Sequence, residues 1–111
     1  MATTSLTELA AERLSAARRS RAGRATSTVH GGSEHALRQV LLALTAGSAL
    51  ADHESPGEAT LQVLQGSVRL TTESDSLAAV EGDHLALPRE RHGLTAVSDA
   101  VVLLTVVAPT S

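Results

Sequence analysis

Apolar residues recur at helical spacing near the start of the chain. Five of them form one stripe on a helix: Leu6, Leu9, Ala10, Leu14 and Ala17. Ser5 and Glu8 have the spacing of a capping box, which marks a helix start. The pattern predicts one amphipathic helix over residues 6–19, followed by a polar connector over 20–34 with a short strand at 25–30.

From Ala36 onward the apolar positions follow the pattern of strands. The predicted strands cover residues 36–44, 60–64, 67–71, 77–80, 84–87, 94–97 and 101–107. The run 36–44 also suits a helix by its period, but Gly47 favours a strand. Gln65 and Gly66 are expected to join two strands as a hairpin. Short strands separated by frequent turns are typical of an all-β sandwich or barrel.

The last strand is apolar on both faces except at Thr105. One face can fill a barrel, and the other needs cover from the helix or from a second subunit, because exposed apolar strands aggregate. We therefore predict a homodimer in which the helix of residues 6–19 packs on a sheet.

Length and composition limit the classes of function. A chain of 111 residues makes one compact unit, with an amphipathic helix and basic arm at 1–24 and a β-barrel at 25–111. Phe, Trp, Tyr and Cys are absent, so no Phe, Tyr or Trp ring can stack on a nucleobase and no thiolate can bind a metal. The arm carries five Arg, but it has no recognised reading motif, so we expect no nucleic-acid binding.

The sequence also indicates where the protein is found. No apolar run approaches the roughly 20 residues that span a membrane. The first ten residues lack the basic and apolar regions of a secretory signal. We expect a cytoplasmic protein with no membrane partner.

Two motifs resemble those of the cupin family. Gly47, followed by the stretch His53–Gly66 (HESPGEATLQVLQG), fits the first cupin motif, G-x5-H-x-H-x3-E-x6-G, except at two metal-ligand positions. Ser55 replaces the second His and Ala59 replaces the Glu. The second motif begins at 82–88 with G-x5-P. Its His comes one residue early, at His92; Glu90 replaces a Gly, and Ala96 replaces the usual Asn.

The resemblance covers residues 36–107 and implies a fold and a site. The fold is an antiparallel double-stranded β-helix, a jelly-roll cupin barrel, preceded here by one N-terminal α-helix. Compact sequences of this type look like small single-domain cupins of actinobacteria, and the family is commonly dimeric. By this resemblance, His53 and His92 are the candidate metal ligands.

The predicted cavity wall follows from strand alternation. If Leu61 and Val63 face inward, so does Ala59 on the same strand. The predicted wall is His53, Ser55, Ala59, Leu61 and Val63, with His92 across it. Catalytic metal sites normally have three or more protein ligands, so we expect no cofactor or a weakly bound divalent transition metal. His30, His35 and His84 are expected at the surface or in structural roles, with a barrel-facing His35 as an alternative.

Three functional hypotheses follow from these residues. The first is a cupin without metal chemistry, which binds a small organic ligand in the barrel or has a structural or sensing role. The second is a metal-dependent enzyme, a dioxygenase or isomerase, that uses His53 and His92. The third is a regulatory protein whose basic helix contacts another macromolecule.

Overall fold

A computed structural model describes residues 1–53 and 57–107, with the backbone alone at Asp52 and His53. Within these residues the chain forms one helix and nine strands. Their bounds are α1 Leu6–Arg19, β1 Arg24–His30, β2 Leu37–Leu44, β3 Ala49–His53, β4 Ala59–Gln65, β5 Ser67–Thr72, β6 Ser76–Val80, β7 His84–Ala86, β8 His92–Ala96 and β9 Ala100–Val107.

The helix occupies the residues predicted for it, and every predicted strand is present. Strand β3 is not predicted by the pattern, because its sequence ALADH holds two Ala and one Asp, residues that are depleted in strands. Strand β8 begins at His92, two residues before the predicted start. His92 therefore lies within a strand, where alternation fixes the direction of its side chain.

The strands form two antiparallel sheets. The five-stranded sheet has the order β1-β2-β9-β4-β7, and the four-stranded sheet has the order β3-β8-β5-β6. Their inner faces enclose one barrel core, which includes Leu42, Leu61, Val68, Leu94 and Val102. This arrangement is the jelly roll that the sequence predicts.

The predicted hairpin at Gln65 and Gly66 is wrong. Strand β4 pairs with β7 and β9, whereas β5 pairs with β6 and β8. The turn therefore carries the chain from one sheet to the other. Gly66 has a φ of 76°, and a Cβ there would collide with the Asp99 carbonyl oxygen. A glycine is needed where the chain crosses between the sheets at this close approach.

A second core lies between the helix and the outer face of the five-stranded sheet. Ala10, Leu14 and Ala17 pack there with Val101 of β9 and with Leu41 and Ala43 of β2. Val102, the next residue of β9, faces the barrel core instead. The chain's own helix thus covers Val101 on the second face of β9, whereas Val107 on that face is 45% exposed. The homodimer stays a prediction.

One ion pair joins the end of the helix to the barrel. The Nη2 and Nε atoms of Arg18 donate to Oδ2 of Asp99 at 2.9 and 3.1 Å. The backbone N–H of Ala46 donates to Oδ1 of Asp99 at 2.9 Å. The Ala46 N–H, and then Arg18, hold the pKa of Asp99 below its ordinary value of 3.8.

Removing apolar volume from the helix core should destabilise the whole fold. Leu14 is 3% exposed, so Leu14→Ala should lower the free energy of unfolding by about 2–5 kcal/mol. Urea unfolding followed by circular dichroism measures this change. The control Val97→Ala, at a residue 59% exposed, should change it by less than about 0.5 kcal/mol. Equal effects from the two variants would contradict the helix core.

The Asp99 contacts should make stability depend on pH. Folding lowers the pKa of Asp99, so its carboxylate stabilises the folded state. This stabilisation is present above pH 3.8, the ordinary pKa, and is lost as the pH falls through the lower pKa of the folded state. Asp99→Asn should therefore lower Tm at pH 7 and narrow the difference in Tm between pH 7 and pH 3. The control Glu12→Gln removes a carboxylate whose salt-bridge partner is the adjacent Arg13, and it should leave both quantities unchanged.

Candidate functional site

His92 is the buried polar residue of the barrel. It begins β8, where His92, Leu94 and Ala96 alternate with Gly93 and Thr95, and all three are nearly inaccessible. Strand β8 lies between β3 and β5, so His92 stands at the start of an interior strand of the four-stranded sheet. The cupin motif has one more residue before this His. The missing residue falls in the turn before β8, so His92 still faces inward.

A hydrogen bond fixes the orientation of the His92 ring. Its Nδ1 lies 3.0 Å from the carbonyl oxygen of Glu90. A carbonyl oxygen only accepts, so Nδ1 carries the proton and donates it. The ring is therefore held by the main chain of the turn that leads into its own strand.

Beside His92, a small cavity of about 70 Å³ lies between the two sheets. Both sheets contribute side chains, and among the described residues of the wall all except His92 are apolar. These residues are Leu50, Leu61, Leu70, Leu87, His92, Leu94, Leu104 and Val106. The described part of the site is a leucine-lined space with one oriented imidazole.

The predicted site residues have separate places in this structure. Leu61 and His92 are brought together in the cavity wall. Val63 is fully buried in the barrel core, outside that wall. Ala59 is buried at 4% exposure on the same strand, and its carbonyl oxygen accepts from the backbone N–H of Leu87. The backbone of His53 pairs in register with His92.

Two predicted site residues, His53 and Ser55, lie wholly or partly outside the described residues. Ser55 is not among the described residues, and only the backbone of His53 is described. The pairing of β3 with β8 nevertheless places positions 53 and 92 on neighbouring strands. The two candidate metal positions are therefore adjacent in the backbone of one sheet.

Most residues of the cavity wall were not predicted from the sequence. Leu50 belongs to β3, which was not predicted as a strand. Leu94 and Leu104 share the inward faces of their strands with His92 and Val102, so alternation counted from those residues would have found them. Leu87 follows β7, and only the tertiary structure brings it to the wall.

The described donor atoms do not fit a tightly held divalent ion. Among the described side chains, no group of three or more His, Cys, Asp or Glu residues is arranged to hold a metal. The position of the cupin Glu carries the methyl group of Ala59. The described wall thus offers one imidazole, whereas catalytic metal sites have three protein ligands.

The other three histidines lie on the surface. His30, His35 and His84 are all exposed, and the rings of His30 and His35 lie 5.0 Å apart between β1 and β2. The alternative of a barrel-facing His35 is therefore wrong, because the loop that holds it turns outward next to His30. No helix in the described part of the chain is both long and apolar enough to cross a membrane.

Known proteins resemble this chain in structure. No protein-family model and no curated protein matches the sequence. A conserved protein of unknown function from Streptococcus pyogenes is 26% identical, with a TM-score of 0.72 over 83% of this chain and 80% of that one. An RmlC-like cupin protein from Desulfovibrio desulfuricans is 27% identical, with a TM-score of 0.68 over 78% and 84%.

A further solved structure agrees with these two. A cupin superfamily protein from Desulfitobacterium hafniense is 16% identical, with a TM-score of 0.70 over 78% of each chain. The shared feature is the two-sheet jelly roll that holds His92 in this chain. The described part of this chain therefore has the jelly-roll fold of RmlC-like cupin proteins.

Proposed function

We propose that this protein is a cupin without metal chemistry that binds a small, largely apolar organic molecule inside its barrel. The observation that carries the proposal is the leucine-lined cavity with the oriented His92 in its wall. Small-molecule sites in proteins are mostly apolar, with a few fixed polar groups that orient the ligand. The cavity has this composition.

The energetics favour an apolar ligand. Burying apolar surface contributes about 25 cal/mol per Å², and the leucine side chains of the wall offer a ligand no hydrogen-bonding group. The Glu90 carbonyl holds the His92 ring, so the ring presents a fixed edge to a ligand without an ordering cost at binding. We infer that the leucines supply affinity and that His92 supplies orientation.

The two other hypotheses have less support. An enzyme that uses His53 and His92 would need further ligands, and the methyl group of Ala59 lies where the family has a carboxylate. A regulatory helix would have to bind a partner through its basic face alone, because Ala10, Leu14 and Ala17 of its apolar stripe are packed on the sheet of its own chain.

Binding of small apolar molecules should stabilise the protein. Short alcohols of four to six carbons, added at about one hundred times their Kd, should raise Tm by about ten degrees, because a ligand of the folded state stabilises it by about 2.7 kcal/mol at that excess. The same titration should shift the NMR signals of the His92 imidazole.

A matched pair of variants tests the site. His92→Phe fills the wall and should abolish the rise in Tm, whereas His84→Phe, at an exposed position, should leave it intact. A panel of alcohols that neither raises Tm nor moves the His92 signals would refute the proposal.

Metal content gives a second test. Protein purified without added metal should contain well under one equivalent of iron, nickel or zinc by elemental analysis. The double variant Ser55→His with Ala59→Glu should bind Zn²⁺ or Ni²⁺ much more tightly, since it adds an imidazole and a negative charge. Each single variant serves as a control for the pair. One tightly bound metal per natural chain, lost in His92→Ala, would favour the enzyme hypothesis instead.

A further inference from the structure

A second space lies outside the barrel, at the seam between the two sheets. It has a volume of about 250 Å³ and lies beside β6 and β7, the edge strands of the two sheets. We call it the seam groove. Its lining residues are Leu70, Thr72, Asp75, Ser76, Leu77, Leu85, Ala86, Pro88 and Glu90.

Leu70 separates the seam groove from the barrel cavity. It is the residue that lines both spaces within the described chain, and it is 8% exposed. Because Leu70 lies in the wall of both spaces, a change of its rotamer would connect them, and the two volumes together reach the range of about 300–1,000 Å³ typical of small-molecule sites.

The charges of the seam groove have one sign. Its ionisable lining residues are Asp75 and Glu90, and among the described residues no Arg or His lines it. The Ser76 N–H donates to Oδ1 of Asp75 at 2.8 Å, which fixes that carboxylate at the rim. One cation touches a lining residue, since Nη1 of Arg69 on β5 donates to the Ser76 hydroxyl at 3.1 Å.

Other cations lie nearby without entering the groove. Arg89 and Arg91 flank Glu90 in the sequence, and both are exposed. The main-chain carbonyl of Glu90 is bound to His92, whereas its side chain lines the groove. One residue thus contacts the buried imidazole and also contributes charge to the groove.

We propose that the seam groove and the barrel cavity form one site for a small amphiphile with an alkyl tail and a cationic amine head. The tail passes Leu70 into the leucine-lined cavity, and the ammonium group stays at the rim with Asp75 and Glu90. This inference rests on the proposed function and adds the entrance and the charge of the ligand.

Three probes with the same eight-carbon chain test the charge preference. Octylamine, 1-octanol and octanoate are cationic, neutral and anionic near pH 7, and calorimetry at low salt measures their Kd values. Octylamine should bind about fivefold more tightly than 1-octanol, because one charge pair near 4 Å in water contributes about 1 kcal/mol. Octanoate should bind more weakly than 1-octanol, and 0.5 M salt should reduce both differences.

Variants separate the head group from the entrance. Glu90→Gln should weaken octylamine binding about fivefold and leave 1-octanol unchanged, whereas Glu81→Gln, outside the groove, should change neither. Leu70→Phe should weaken all three probes at least tenfold by blocking the passage. Leu70→Met conserves volume and flexibility and should retain binding, which separates blockage from misfolding, and circular dichroism checks the fold of both.

The outcomes distinguish this inference from the proposed function. Octanoate that binds as tightly as octylamine, or a Glu90→Gln variant that binds octylamine normally, overturns the amine preference. Normal binding by Leu70→Phe overturns the entrance. If short alcohols raise Tm but no eight-carbon probe binds, the inference fails and the barrel site stands. If neither kind of probe binds, both fail.

Discussion

The centre of the five-stranded sheet is buried on both faces, and the rest of the molecule depends on this burial. Alternate residues of β9 divide between two cores, since Val101 packs under the helix and Val102 faces the barrel. Leu41 and Leu42 divide in the same way on β2. A chain without aromatic residues gains its hydrophobic stabilisation from many aliphatic contacts, and two central strands that serve both cores provide them.

The fold could be predicted from the sequence where local and tertiary signals agree. The helix follows from the spacing of its stripe and from Ser5, whose side chain accepts the Glu8 N–H. Strand β3 could not be predicted, because its residues have low strand propensity and pair with β8 only in the assembled sheet. The pairing of β4 with β5 was predicted wrongly at the Gly66 turn. Two alternating segments joined by two residues have the same sequence pattern whether the strands pair with each other or lie in different sheets.

The site was less predictable than the fold for a physical reason. Alternation identifies which face of a strand is buried, and so Leu61 and His92 could be placed in the wall from sequence. It cannot say which buried residues border empty space, so Val63 and the cavity leucines are indistinguishable by pattern. The seam groove depends on two edge strands from different sheets and on the Pro88 turn, and no local signal in the chain links them.

The hydrogen bond between His92 and position 90 has a consequence for how this protein can evolve. The acceptor is a main-chain oxygen, which every amino acid supplies. Substitution at position 90 can therefore alter the charge at the groove while the imidazole keeps its orientation. The charge at the rim of the groove and the geometry of the interior are therefore free to diverge independently, without any change to the barrel.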